Sequence, residues 1–550
     1  MSKLATLLAG FAAFAVTAAS AATAAPWSSS VPFTNTVVSS PVTGGGYPVP
    51  PGATRPEPGT CGPQQLNSNH SESWLAVKPG TEDIVGVSKF FVGKWSTFYN
   101  FHLGSYTIQN GAAVATNQVQ GYECTTVGTQ AMPPSWTNNT DPNADFDTKG
   151  RVYQTTLPFN AFWAGGMHPN GEIHVSYSDD LGRHWIQANG GVALDNTNNQ
   201  NSVTLGHVDD KQWIAVNHLV GNVNQDHVYA MWTTFNGSNG NGKIMVAVSR
   251  DRGATFSKAV QLSTPSATTP GNTYVYPSIG PEGTVYVAFI SGFDLNKNKV
   301  GHVYVTKSTD DGRTWTPFVI AASPIENPNG SFANTNFRDG ILENFAASPS
   351  HPGHAYLVYE NWNPAAGTSD VYLTQTEDGG FTWSAPQQVN DDANTASSDQ
   401  FQPSVAANGD AVAVAFYDRR AACPNDSSIL PAHRGAANTC IAVSLQAYRD
   451  IGSVNGAQPV GSNVNVSTYR WDPDQPGQKV DGISQYPCAG HNDPCPRGRG
   501  FIGDYFGLAV SGGNIYALSV TTHYPQNTDG TDVYYQQQVL ATVPRSGFGL

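Results

Sequence analysis

The stretch Ser308-Thr-Asp310-Asp-Gly312-Arg-Thr314-Trp315 decides the fold, because variants of it recur three times. The other copies are Ser178-Asp-Asp180-Leu-Gly182-Arg-His-Trp185, Ser249-Arg-Asp251-Arg-Gly253-Ala-Thr255-Phe256 and Thr376-Glu-Asp378-Gly-Gly380-Phe-Thr382-Trp383. The Asp side chain accepts hydrogen bonds from backbone N–H groups across a tight turn. Gly supplies a positive φ, and the aromatic ring packs beneath the hairpin. The pattern predicts a structural role for Asp180, Asp251, Asp310 and Asp378.

Outward from these turns, the chain repeats in units that open near residues 72, 145, 210, 274, 338, 399 and 501. A unit contains short runs of β-branched and aromatic residues, such as Val285-Tyr-Val-Ala-Phe289, separated by Gly, Asn and Asp. Such runs are typical of strands. Units of four strands at this period predict an all-β, seven-bladed β-propeller, with six or eight blades as alternatives.

Three segments are predicted along the chain. Residues 1–25 combine Lys3, an apolar run and small residues before Pro26, which is typical of an export signal. Residues 26–66 are rich in Ser, Thr, Gly and Pro, which predicts a flexible N-terminal arm. Residues 67–550 are predicted to form the propeller. We therefore expect a secreted or periplasmic protein.

The chain has six cysteines, namely Cys61, Cys124, Cys423, Cys440, Cys488 and Cys495. Disulfides are the expected state in an exported protein, although six cysteines allow fifteen pairings. Proximity and order favour Cys423–Cys440, Cys488–Cys495 and Cys61–Cys124. Zinc binding is the alternative, but no pair shows the Cys-x₂-Cys spacing of zinc sites.

The net charge of −14 and the absence of a basic stretch argue against a nucleic-acid partner. After residue 25 no apolar run is long enough to span a membrane. We expect a monomer that acts on a poly- or oligosaccharide.

The four repeated turns resemble the Asp-box, or bacterial neuraminidase repeat, propellers of the sialidase superfamily, and the resemblance covers about residues 72–540. It implies that the turns lie on the blade rim, away from the active site. Sialidases bind the sialate carboxylate with three arginines and have an early Arg-Ile-Pro motif. That motif is absent here, and no Arg occurs between Arg55 and Arg151. Exo-α-sialidase activity is therefore an alternative.

A looser similarity is to seven-bladed propellers that cleave rhamnose–glucuronate linkages and rely on a histidine near the start of the propeller. Here the candidates are His70 and His102. Histidine suits proton abstraction from a uronate because it titrates near neutral pH, and Arg suits the uronate carboxylate. The candidates for substrate binding are Arg151, Arg338, Arg419 and Tyr505. The alternative for each histidine is a structural role, and for Arg419 an ion pair with Asp418.

The leading functional hypothesis is an exported enzyme that removes a terminal sugar from an acidic glycan by hydrolysis or elimination. The second is a non-catalytic glycan-binding propeller. The chemistry requires no cofactor. However, Asp141-Pro-Asn143-Ala-Asp145-Phe-Asp147 spaces oxygen ligands two residues apart, which makes it a candidate Ca²⁺ loop.

Overall fold

The computed structural model describes residues 27–39, 53–54, 66–92, 101–119, 126–127, 130–131, 138–160, 170–196, 207–236, 241–263, 271–292, 301–328, 332–335, 337, 339, 343–392, 398–475, 479–480, 483–484, 501–522 and 536–550. Their main strands form seven antiparallel sheets, and six of these follow one another along the chain as simple meanders. The seventh combines C-terminal strands with one N-terminal strand. The chain is a seven-bladed β-propeller, as its repeats predict.

Strands are numbered along the chain and grouped by their place in a blade. The inner strands are β3 Leu66–Val77, β9 Asn138–Thr140 with β10 Asp145–Phe146, β15 His207–Val216, β19 Thr273–Ile279, β23 Glu343–Ala347, β27 Gln400–Asn408 and β33 Gly507–Val510. The second strands are β4 Ile84–Val92, β11 Val152–Asn160, β16 Val228–Asn236, β20 Val285–Ser291, β24 Ala355–Asn363, β28 Ala411–Asp418 and β34 Asn514–Thr521.

The third strands are β5 Phe101–Gln109, β12 Asn170–Ser178, β17 Asn241–Ser249, β21 Gly301–Ser308, β25 Thr368–Thr376, β29 Ala442–Arg449 and β35 Gln537–Pro544. The outer strands are β6 Ala112–Val119, β13 Ile186–Gln187 with β14 Asp195–Asn196, β18 Val260–Gln261, β22 Val319–Ile325, β26 Gln387–Gln388, β30 Gln458–Asn465 and β1 Thr34–Val37. Short pairs outside the blades are β2 Ala53–Thr54 with β7 Thr126–Val127 and β8 Gln130–Ala131, and β31 Lys479–Val480 with β32 Ile483–Ser484. Two 3₁₀ turns span Asn189–Gly191 and Arg545–Phe548.

The N-terminal strand β1 closes the ring. It pairs antiparallel with β35, with Thr34 opposite Thr542 and Val37 opposite Val539. Val38 is fully buried against this blade, and Trp27 donates a hydrogen bond of 2.7 Å to Ser444 of blade six. This part of the predicted flexible arm is therefore an ordered strand. Its pairing covers the outer edge of the last blade, which would otherwise expose unpaired backbone groups.

The four Asp turns share one hydrogen-bond pattern. Asp310 Oδ1 accepts a hydrogen bond of 2.8 Å from the Thr314 N–H, and Ser308 Oγ accepts one of 2.9 Å from the Gly312 N–H. Equivalent bonds form around Asp180, Asp251 and Asp378. Each turn follows a third strand. Because neighbouring strands are antiparallel, the turns lie at the end of the propeller where the inner strands finish.

Carboxylates also connect neighbouring blades through buried tyrosines on second strands. Tyr229 donates to Asp311 of the next blade at 2.7 Å, and Tyr516 of blade seven donates to Glu82 of blade one. Burial, together with the carboxylate acceptor, raises the pKa of both phenols. The phenols therefore stay protonated and act as donors, which stabilises the contact between blades.

Cys423 and Cys440 form a disulfide, as proximity predicts. Cys61, Cys124, Cys488 and Cys495 lie outside the described residues, so their pairing stays a prediction. Among the described residues, no helix has the length and apolar character needed to cross a membrane.

Removing the ring-closing strand should destabilise the whole propeller. We expect a variant that starts at residue 40 to melt about 5 °C or more below a variant that starts at residue 27, because it loses the β1–β35 ladder and the burial of Val38. Thermal unfolding followed by circular dichroism measures the difference. Equal melting temperatures would show that β1 contributes nothing to ring closure.

Candidate functional site

The inner strands share an unusual backbone feature at the end where they begin. Five non-glycine residues there have left-handed φ angles of 47° to 55°, and they are Glu72, Asp141, Lys211, Tyr274 and Gln402. In four of these blades the strand register shifts beside that residue, which marks a β-bulge. A left-handed non-glycine residue costs about 1–2 kcal/mol, so its recurrence in five blades indicates a constraint on these positions.

In blade seven the corresponding residue is Gly503, with φ of 108°. A Cβ atom at this position would lie 2.5 Å from the backbone nitrogen of Glu72. Only glycine therefore lets blade seven approach blade one this closely.

The bulges bring charged side chains from four blades together near the propeller axis. We call this set the polar cluster, and it consists of Glu72, Lys89, Asp141, Asp210, Lys211 and Asp504. Lys89 Nζ lies 2.7 Å from Glu72 Oε1, and Lys211 Nζ lies 3.0 Å from Asp504 Oδ2 and 3.6 Å from Asp141 Oδ1. Glu72, Asp141 and Asp504 are almost fully buried, whereas Asp210 and Lys211 are partly exposed. These two side chains are the accessible part of the cluster.

Two carboxyl groups of the cluster form a pair. The Lys211 backbone N–H donates to Asp210 Oδ1 at 2.9 Å and to Asp141 Oδ2 at 3.2 Å, and the two carboxyl groups are hydrogen-bonded to each other. Two carboxyl groups in such contact hold one proton between them. The pair therefore offers a protonated acid next to an ionised carboxylate.

The surroundings decide which carboxyl group keeps the proton. Burial and the charge of Asp141 raise the pKa of Asp210 to about 7, although Lys211 opposes the rise. Burial acts in the same direction on Asp141, but the ammonium groups of Lys211 and Lys89 outweigh it and lower the pKa of that carboxyl. Asp210 is therefore the carboxyl group that keeps its proton until the pH rises to about 7, and Asp141 ionises at lower pH. Carboxyl groups whose pKa values are pushed apart in this way are typical of acid–base sites.

An aromatic layer closes the channel beneath the polar cluster. The Trp213 ring contacts the rings of Trp74, Tyr276 and Tyr505 at centroid distances of 4.6, 4.8 and 5.1 Å. Each of these four aromatic residues follows one of the positive-φ residues described above by two positions. On the far side of the layer lies a cavity of about 410 Å³, which inner strands of all seven blades line. The layer separates this cavity from the charged groups.

Tyr505 belongs to this layer rather than to the accessible part of the cluster. Its side chain is buried, and its hydroxyl donates to the Pro142 carbonyl at 2.9 Å. The predicted contact with substrate would require this ring to become exposed.

The predicted histidine base lies in a different environment from the one its role requires. His70 is buried in β3, and its Nδ1 lies 2.9 Å from the Tyr106 hydroxyl. Burial lowers the pKa of His70 to about 3, so the ring is neutral and a weak base at neutral pH. His102 lies on β5 opposite Phe90, and its side chain is outside the described part of the structure.

Arg151 and Arg419, two of the three predicted arginines, do not join the polar cluster. Arg151 lies at the opposite end of blade two, where it makes two hydrogen bonds of 2.7 and 2.8 Å to Asp179. Arg419 is fully buried and binds Asp399 at 2.8 Å rather than the predicted partner Asp418, which pairs with Arg420. Arg338 lies outside the described residues. The cations that the structure places in the cluster are lysines.

The oxygen ligands of the candidate Ca²⁺ loop bind separate partners. Asp141 pairs with Lys211, Asp145 Oδ2 accepts from the Val216 N–H at 2.7 Å, and Asp147 Oδ2 contacts Arg252 at 2.7 Å. Elsewhere in the described part, ligand atoms of His433, Asp472 and Asp474 lie within 4.8 Å of one another.

Sequence reasoning missed Glu72, Lys89, Asp210 and Lys211, and assigned Asp141 to a different role. A signal for part of the cluster is present, however. Aligning the units on their inner aromatic residue places Glu72-Ser73-Trp74 beside Lys211-Gln212-Trp213 and Tyr274-Val275-Tyr276. In these three units the alignment places Glu72, Lys211 and Tyr274 at the same position, two residues before the aromatic residue of the layer.

No protein family and no curated protein matches the sequence. Solved structures that overlap with the chain include a Hadza microbial sialidase, with 13% identity, TM-score 0.38, and 64% of this chain matched to 65% of that one. A leech intramolecular trans-sialidase overlaps with 10% identity, TM-score 0.40, and 64% of this chain matched to 65% of that one. A Penicillium chrysogenum α-L-arabinanase overlaps with 13% identity, TM-score 0.38, and 74% matched to 93%. The chain thus spans just under two thirds of the two sialidases. Overlaps of this quality do not transfer an activity.

Removing the Lys211 charge should raise the pKa of both paired carboxyl groups, because the ammonium lowers both. We expect Lys211→Met to shift the Asp141 and Asp210 titrations upward by about one pH unit or more. Carbon-detected NMR of ¹³C-labelled aspartate carboxyl groups measures this shift without a substrate. Lys211→Arg keeps the charge and should shift them less. Unchanged titrations in Lys211→Met would contradict the role of Lys211 in the pair.

Proposed function

We propose that this chain is an exported enzyme that hydrolyses glycosidic bonds at the polar cluster, with Asp210 as the proton donor. The observation that carries the proposal is the contact of Asp210 with Asp141, in which burial and the charge of Asp141 raise the pKa of Asp210 to about 7 while Lys211 and Lys89 lower the pKa of Asp141. Export rests on residues 1–25, which lie outside the described part of the structure.

Glycoside hydrolysis needs these two forms of a carboxyl group. A protonated acid donates its proton to the leaving oxygen as the bond to the anomeric carbon breaks, and ionised carboxylates stabilise the oxocarbenium-like transition state. Asp210 holds a proton and is partly exposed, so it can reach a bound glycoside. Asp141 is the carboxylate hydrogen-bonded to it, and Glu72 Oε2 lies 3.4 Å from the Asp141 backbone nitrogen. Water then adds to the anomeric carbon, and the proton it releases returns to the aspartate pair.

This assignment replaces the histidine mechanism with a carboxyl mechanism. Proton abstraction from a uronate needs a base that is partly ionised near neutral pH, and a His70 pKa of about 3 does not suit it. Sialidase chemistry needs several arginines around the sugar carboxylate, whereas the cluster presents Lys89 and Lys211 among its described members. The activity test therefore also includes a substrate for rhamnose–glucuronate cleavage and a substrate for sialidase activity.

The activity test uses gum arabic, sialyllactose and a set of 4-nitrophenyl glycosides. Release of sugar or nitrophenol by the wild type supports the proposal, and release from none of these substrates would contradict it. Since Asp210 must be protonated, kcat/KM should fall as the pH rises through about 7.

Asp210→Asn removes the donated proton while keeping the size of the side chain. We expect its kcat/KM to fall by about 100-fold or more, as for the loss of a general acid. Asp310→Asn, in a turn at the other end of the propeller, is the matched control and should keep wild-type activity. A fully active Asp210→Asn enzyme would show that another group donates the proton.

A further inference from the structure

The polar cluster carries more negative than positive charge, and this imbalance bears on which sugars it accepts. It contains four carboxyl groups, Glu72, Asp141, Asp210 and Asp504, but only two ammonium groups, Lys89 and Lys211. With Glu72, Asp141 and Asp504 ionised beside the two lysines, the six groups of the cluster carry a net negative charge even when Asp210 is protonated. We infer that the site takes a neutral sugar or an amino sugar rather than a uronate or a sialate. The inference rests on the proposed function, because it concerns the substrate of the same site.

Neither lysine is available to bind an acidic sugar. Lys89 is buried, pairs with Glu72 at 2.7 Å and donates to Thr140 at 3.1 Å, and its Nζ lies 4.5 Å from the centre of the Phe501 ring. Lys211 pairs with both Asp504 and Asp141. Moving either ammonium to a ligand would leave a carboxylate buried without its partner, which is a costly state.

The other described groups around the cluster add no positive charge. They are Asp209, whose pKa burial raises to about 8, Glu343 and the phenols of Tyr274, Tyr276 and Tyr505. The charge of Glu343 raises the pKa of Tyr276, which places this further carboxyl group near the aromatic layer. A sugar carboxylate would thus face like charge from several blades, and like-charge contacts exclude such partners.

The same groups suit a different ligand chemistry. Carboxylates accept hydrogen bonds from sugar hydroxyl groups, and an ionised carboxylate attracts the ammonium group of an amino sugar. The partly exposed Asp210 and Lys211 supply one protonated donor and one cation already balanced by Asp504. The site therefore offers acceptors to hydroxyl or ammonium groups and repulsion to a carboxylate.

Three 4-nitrophenyl glycosides test this inference, because the glucosaminide differs from the glucoside only at C2 and the glucuronide differs from it only at C6. The glucoside, the glucosaminide and the glucuronide share a ring configuration, and both anomers and the galacto series are included. We expect the best neutral or amino glycoside to exceed the matching uronide by about 100-fold or more in kcat/KM. A uronide preferred in any series would overturn the inference.

Binding separates this inference from the proposed reaction. Saturation-transfer NMR of the Asp210→Asn protein with glucose, glucosamine and glucuronate, and with their galacto counterparts, requires no catalysis. If no glycoside is cleaved but the neutral or amino sugars bind and the uronates do not, the proposed reaction fails and the charge selection stands. Stronger binding of a uronate, or binding of none of the sugars, overturns the selection.

Two variants identify the cause of the selection. Asp504→Asn removes one negative charge and releases Lys211 from one partner. When it is added to the Asp210→Asn protein, the parent in this comparison, the uronate should bind more strongly than it does to that parent. Arg338→Ala tests the arginine predicted from sequence. If the parent prefers a uronate and Arg338→Ala loses it, an arginine clamp decides specificity and our inference is wrong.

Discussion

The ion pairs of Lys211 connect the parts of the candidate site to the architecture of the ring. Its side chain reaches Asp504 of blade seven and Asp141 of blade two, and its backbone N–H reaches both members of the aspartate pair. A regular strand would not aim the backbone and the side chain in these two directions. The left-handed conformation of Lys211 does so, and the ion pairs offset its conformational cost. The bulge and the cluster therefore depend on each other.

The two ends of the propeller carry different groups, because the direction of the strands places different residues at each end. The Asp turns, the carboxylate–tyrosine contacts and the short loops lie where the inner strands finish, and their hydrogen bonds hold neighbouring strands and blades. The bulges and the charged groups lie where the inner strands begin. The aromatic layer, which includes Trp74 and Trp213, separates the charged groups from the cavity on its far side. Glu72, Asp141 and Asp504 are buried, and burial strengthens electrostatic interactions and shifts pKa values.

The fold could be predicted from sequence because its signals are local. Each Asp turn is encoded in eight consecutive residues, and the strand runs between the turns set the period. The N-terminal strand was missed because composition suggested an arm, while Thr34–Val37 lacks any local sign of its partner 500 residues away.

The candidate site could be predicted only in part. His70 was chosen for its chemistry and its place before the first unit, but the sequence does not reveal that burial makes the ring a weak base. Lys211 and Asp504 lie 293 residues apart, and only ring closure brings them together.

The choice between carboxyl and histidine chemistry follows from the same burial. A buried histidine loses its proton because the interior disfavours its charged form, so burial removes the acid form of His70. A buried carboxyl group gains a proton for the same reason, so burial creates the acid form of Asp210. One physical effect therefore favours the carboxyl group as the proposed proton donor and leaves the imidazole neutral. The two lysines of the cluster lower the pKa of Asp141 beside it, and the proposed hydrolysis depends on this difference between the two carboxyl groups.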